Sequence, residues 1–178
     1  MSLSQLSHVE ANLRGIARRV PQLPLTETLI CRLALILGRD LNACIDRILR
    51  PLGLTEPEYR VLAALYAHDG AACPRDLCGA LAQSPANLTR IGDTLVRRGL
   101  VSRHLDPADR RRMQLTLRPA GERVLEKLLP AMCVGVSAAF DGFSAAEKKR
   151  LLAGLKKLMQ GLDNVVASTE TGRRARVA

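Results

Sequence analysis

The chain has 178 residues, enough for one domain or one domain with an extension. Its hydrophobic share is 47% and its charged share 25%, ordinary for a globular protein, and no uncharged apolar run approaches the roughly 20 residues a membrane-spanning helix needs. A net charge of +10 and a pI near 10.1 point to a polyanionic partner, nucleic acid or an anionic membrane surface.

Residues 1–20 read as a short helix broken by Pro21 and Pro24. They lack an apolar core with a cleavage site, so an added helix is expected rather than a secretory signal. From Thr26 to Leu49 the pattern is helical, with Leu29, Leu33, Leu37, Leu41, Cys44, Ile48 and Leu52 at three- to four-residue steps. Ile30, Ala34, Leu35, Ile36 and Ile45 widen that arc beyond one stripe. A helix apolar on more than one side must bury more than one side, which a domain this small cannot supply, so a subunit interface is expected.

Pro51 and Gly53 end this helix. Thr55 and Glu58 then form a capping box for a helix reaching about Ala67, and Asp69-Gly70 stops it. Pro74 opens a short helix carrying Leu77 and Leu81. Ser84-Pro85 opens the next, with Leu88, Ile91 and Leu95 inward and Gly99 at its end. Two short helices across a tight turn make a helix-turn-helix. Residues 100–105 and 113–117 are strand-like, and Asp106-Pro107-Ala108-Asp109 supplies the turn between them. Pro119 starts a helix to about Val136. Ser144 and Glu147 cap a final helix with Leu151, Leu155, Leu158, Leu162 and Val165 on one face. Residues 167–178 are polar and basic without apolar periodicity, and a disordered tail is expected.

The five cysteines (Cys31, Cys44, Cys73, Cys78, Cys133) contain no C-x-x-C pair, and His8, His68 and His104 do not cluster with them. Four zinc ligands in tight pairs are lacking, so no metal is expected, and the thiols are read as reduced, buried packing groups of a cytoplasmic protein. No phosphate loop or nucleophile motif appears, so neither an enzyme nor a cofactor is expected.

Charge singles out residues 84–117, which hold seven Arg against three Asp, whereas residues 1–70 hold eight Arg against seven acids. This is the footprint of a recognition helix followed by a basic β-hairpin, or wing, gripping a duplex. Opposite the apolar stripe lie Asn87, Arg90, Thr94 and Arg97. Asn suits a bidentate contact to adenine and Arg one to guanine in the major groove. Arg97 and Arg98, near the helix end, suit phosphates. Arg110, Arg111 and Arg112 follow the hairpin turn, where an Arg can enter a narrow minor groove, and Asp109 suits orienting a neighbouring Arg. The rival readings are a solvated Arg surface, or a winged helix used only for protein contact; the helix start, polar face and hairpin together favour DNA.

The segments ETLICRLALILGRDLNACIDRILRPLGLTEPEYRVLAAL, SPANLTRIGDTLVRRGLVSR and DPADRRRMQLTLRPAGERVL resemble MarR-type winged-helix regulators, particularly the multidrug-efflux repressor branch. The wing motif reads Asp106, Asp109, Arg110, Arg111, followed by Leu117, Pro119 and Gly121 where the family has Leu-Thr-x-x-Gly, and the resemblance covers about residues 24–165. It implies a mainly α winged helix-turn-helix with a two-stranded β wing. Residues 55–118 would bind DNA, residues 24–54 and 119–166 would build an obligate homodimer, and residues 1–23 would be an extension. It further implies a pseudo-palindromic operator with half-sites one helical turn apart. Ser84, Asn87, Thr89 and Arg90 would meet the major groove, Arg110 or Arg111 the minor groove, and Asp106 and Asp109 would order the wing.

Members of this family are commonly released from DNA by small lipophilic or phenolic ligands. Arg32, Leu33, Leu37, Tyr59, Leu62, Tyr66 and His68 are the candidate pocket walls, with core or surface roles as the blander reading. Other members sense organic peroxide through a Cys in the first long helix. Cys31 sits at a matching distance ahead of Thr55, and Cys133 falls where a resolving thiol would stand. Leu35, Ile45 and Glu56 occupy the places of the hydroxyl partners such sensors use, which ranks redox sensing below ligand sensing.

Overall fold

The computed structural model describes residues 3–105 and 112–174. The order is α1 (Leu3–Arg19), α2 (Leu25–Leu49), a 3₁₀ turn (Arg50–Leu52), α3 (Glu56–Ala67), β1 (Ala71–Ala72), α4 (Pro74–Leu81), α5 (Pro85–Arg97), β2 (Val101–Leu105), β3 (Met113–Leu117), α6 (Pro119–Ala139) and α7 (Ala145–Arg174). The chain forms two compact units, Met1–Met132 and Cys133–Ala178. Among the described residues, no helix is long and apolar enough to cross a membrane.

In the first unit, α3 begins at the expected capping box. The Glu58 carboxylate accepts from the Thr55 N–H at 2.8 Å, and Thr55 accepts from the backbone of the first turn. Glu58 is only 8% exposed, yet its charge lies 3.5 Å from Arg98 Nη1, so the buried carboxylate is paired. Val61, Leu62 and Leu65 of α3 face Leu88, Ile91 and Leu95 of α5, and Leu77 and Leu81 of α4 close the same core. Gly121, early in α6, sits where a Cβ would stand 2.5 Å from the Leu100 carbonyl oxygen and 2.7 Å from Leu117 Cδ1. A glycine there lets α6 leave the sheet directly over β2 and β3.

The sheet has three antiparallel strands in the order β1-β3-β2, with Val101 opposite Leu117, Leu105 opposite Met113 and Ala71 opposite Thr116. Val101, Leu115 and Leu117 point into the core. The two wing strands pair as expected, and β1 is the addition. Two alanines carry no alternation to read. They are delivered by the turn at Asp69 (φ 52°) and Gly70 (φ 85°), and the Leu117 N–H donates to the Gly70 carbonyl at 2.6 Å.

In the second unit, residues 133–139 of α6 lead to a turn where Phe140 and Phe143 meet edge to face at 5.5 Å. Lys148 Nζ lies 5.9 Å from the Phe140 ring centre. The expected cap of α7 is present. Glu147 accepts from Ser144 Oγ at 2.6 Å and from the Ser144 N–H at 2.8 Å, and these two bonds hold its carboxyl below the ordinary value of 4.5. α7 runs to Arg174, past the point where a disordered tail is expected to begin. No proline interrupts 166–174, and an established helix extends at one hydrogen bond per residue.

Candidate nucleic-acid interface

The interface is built on α5. Ser84 is its N-cap, with Oγ accepting from the Asn87 N–H at 3.2 Å, and Pro85 fills the first turn. Ala82 ends α4 in the left-handed region at φ 50°, which makes the turn between the two helices tight. Leu88, Ile91, Gly92 and Leu95 are buried. On the other face Thr89, Arg90, Asp93 and Arg97 are exposed or half-exposed, and Asn87 and Thr94 are half-buried. The helix thus holds its inner side in the core and offers a polar, cationic side outward.

Several of these side chains are bonded to one another. Asn87 Nδ2 donates to Gln83 Oε1, and Arg90 Nη2 donates to Asn87 Oδ1 at 2.9 Å. Thr89 and Thr94 donate their hydroxyls to the carbonyls of Pro85 and Arg90, and Arg97 Nη2 donates to Thr94 Oγ1 at 3.2 Å. Arg98 departs from the phosphate role expected for it. It turns back and donates to the carbonyls of Gly53 and Leu52 at 2.7 and 3.0 Å, beside Glu58. The carbonyls at the end of the 3₁₀ turn and the Glu58 carboxylate hold it there.

The wing is fastened to both helices of the helix-turn-helix. Arg103 of β2 reaches Asp93 Oδ1 at 2.5 Å and the Thr89 carbonyl at 3.3 Å, both on α5. Its guanidinium lies over Gly92, where a Cβ would come within 3.0 Å of Arg103 Nη2. Arg112 donates to Asp76 of α4 at 3.3 Å and remains exposed. Asp106, Asp109, Arg110 and Arg111 lie outside the described residues. Sequence reasoning misses Gln83, Asp93, Arg103 and Asp76. Gln83 is legible at i and i+4 from Asn87. The pairs Arg103–Asp93 and Arg112–Asp76 are made across the fold, and no local spacing announces them.

The candidate ligand residues differ in burial. Leu62 is fully buried among Val61 and Leu65, whereas Arg32 and Leu37 are exposed. Leu33 and Tyr59 are half-buried. Tyr66 is 48% exposed. His68 lines a cleft of about 490 Å³ between β1, α4 and β3 with Asp76, Arg112 and Gln114, and none of the other six lines it. The thiols also differ from expectation. Cys31, Cys44 and Cys133 are exposed and Cys73 is buried. Among the described residues no cluster could hold a metal ion.

A family model described as MarR family matches residues 52–112, the stretch from the end of the 3₁₀ turn to the start of β3. The transcriptional repressor MprA of Escherichia coli strain K12 is 29% identical over 91% of this chain and 93% of its own. The structure of AbsC, a MarR family transcriptional regulator from Streptomyces coelicolor, superposes with a TM-score of 0.72 at 27% identity, covering 78% of this chain and 95% of AbsC. A structure of Bordetella bronchiseptica BpsR, whose DNA binding is regulated by 6-hydroxynicotinic acid, superposes with a TM-score of 0.65 at 27% identity, covering 73% and 92%.

Proposed function

The chain belongs to the MarR family, and from that premise we propose that it is a homodimeric, sequence-specific DNA-binding repressor. Its relatives are transcriptional regulators, not enzymes. The observation that carries the reading is α5. A capped helix, anchored in the core by Leu88, Ile91 and Leu95, presents Thr89, Arg90 and Arg97 outward beside a strand-built wing. Residues 55–118 are the DNA-binding part in this reading. Ser84, Asn87, Thr89, Arg90, Thr94 and Arg97 address the major groove and its phosphates. Arg110, Arg111 and Arg112 belong to the wing, with Asp106 and Asp109 ordering its turn.

The homodimer is supported by apolar side chains exposed in the single chain. Leu35 (69%), Leu37 and Leu41 stand out from α2, and Leu151, Leu155, Met159, Leu162 and Val165 from α7. Exposed apolar side chains in such number mark association surfaces, which a second copy would cover. Two recognition helices then match a pseudo-palindrome. Regulation by a small molecule is supported by the likeness to BpsR; a lipophilic or phenolic ligand is what the family resemblance implies, and release requires that it prefer one spacing of those helices. The site of action is the cytoplasm, and an efflux-transporter gene is the target implied by the family branch. The second reading, peroxide release through Cys31 and Cys133, gains from the exposure of both thiols.

Arg110→Ala and Arg111→Ala test the wing. Loss of affinity for DNA with an intact dimer in size-exclusion chromatography is expected; unchanged affinity contradicts its assigned role. Peroxide that releases DNA from the wild type but not from Cys31→Ser would promote the second reading over the first.

A further inference from the structure

Gln83, Asn87 and Arg90 stand at i, i+4 and i+7, a single row along the outer side of α5 and the turn before it. They form one hydrogen-bonded chain. Gln83 is fixed at its backbone, where its N–H donates to the Cys78 carbonyl at 3.0 Å. Its side-chain Oε1 accepts from Asn87 Nδ2, and Asn87 Oδ1 accepts from Arg90 Nη2 at 2.9 Å. Reading adenine takes both ends of an asparagine amide, the oxygen accepting from N6 and the nitrogen donating to N7. Here each end of Asn87 already makes one bond within the chain, which ties its amide to Gln83 and Arg90. Arg90 is held by one nitrogen and keeps the rest of its planar fork of donors, the geometry that matches guanine O6 and N7. Asp93, one turn further on, does not divert it, because that carboxylate is paired with Arg103.

We propose that Arg90 reads a guanine in each half-site, and that Gln83 and Asn87 are positioning residues that hold its guanidinium for that contact, Asn87 not itself reading a base. Neighbouring dipoles in such a chain strengthen one another, and a fork fixed before binding loses less freedom on contact. The proposal rests on the DNA-binding reading above and names its specificity.

The test begins with duplexes selected by the wild-type protein from a random pool. The best duplex and all its single-base variants are then titrated against wild type, Arg90→Ala, Asn87→Ala, Gln83→Ala and Gln83→Glu. In wild type, one guanine per half-site should be preferred by about five- to 150-fold, the range of a bidentate contact. Arg90→Ala should erase that preference. Asn87→Ala and Gln83→Ala should weaken it several-fold at the same guanine while the other positions keep their discrimination. Gln83→Glu retains the acceptor for Asn87 Nδ2 and should keep the guanine preference even if its charge lowers affinity for every duplex alike. The proposal is overturned if Asn87→Ala removes an adenine preference and spares the guanine, or if Gln83→Ala weakens all positions equally or none. A wild type that enriches no sequence overturns the DNA-binding reading beneath it, an outcome separate from these.

Discussion

Single residues carry much of the local design. Ser84 closes the start of α5 through the Asn87 N–H. Ser84→Ala should cost about 1 kcal/mol in urea unfolding, and fray the helix end that holds Asn87. Gly121 shows why its position tolerates no side chain. A Cβ there meets the Leu100 carbonyl oxygen, a backbone atom that cannot swing aside. Gly121→Ala should destabilise by about 1–3 kcal/mol, measured the same way. Glu147 gives a pH effect whose sign follows from its lowered pKa. Its contribution is complete above the ordinary value of 4.5 and is lost as pH falls through the lower folded value. In an NMR titration the start of α7 should loosen over that acid window, and Glu147→Gln should remove the dependence. Both capping boxes are legible because Thr55–Glu58 and Ser144–Glu147 are local patterns. The inward turn of Arg98 is not, since its partners Leu52 and Gly53 lie far away in sequence.

Between elements, the decisive joint is the one that ties the wing to α5. Arg103 and Asp93 are both partly exposed, and such a pair adds at most about 1 kcal/mol to stability. Its weight lies in geometry, because Arg103 also holds the Thr89 carbonyl and so fixes β2 against the recognition helix. Arg103→Ala should therefore leave the melting temperature nearly unchanged, yet lower affinity for the selected duplex about tenfold or more, since a binding group displaced by about 1 Å no longer meets its base or phosphate. Unaltered affinity would make the joint ornamental. The helices themselves are readable, as caps, prolines and the Leu88–Ile91–Leu95 stripe mark them. The strand β1 is not, because Ala71 and Ala72 have no pattern and owe their pairing to the open edge of β3. Leu62 and Tyr66 share one face of α3 at i and i+4, yet Leu62 is buried in the core and Tyr66 is not, a difference that the sequence spacing does not show.

Across the whole chain, surplus charge and surplus apolar surface ask for two kinds of partner. The net charge of +10 suits a duplex, and the exposed leucines of α2 and α7 suit a second copy. In the proposed homodimer the two requirements would support each other, since it would double the recognition helices and the phosphates they neutralise. The most direct measurement is a titration of the purified protein against DNA from upstream of its own gene, beside a scrambled duplex, at two salt concentrations. A preference of about 10³-fold or more for the native DNA, with affinity falling steeply as salt rises, is the expected result. Equal affinity for the two duplexes, or none for either, would contradict sequence-specific regulation by this chain.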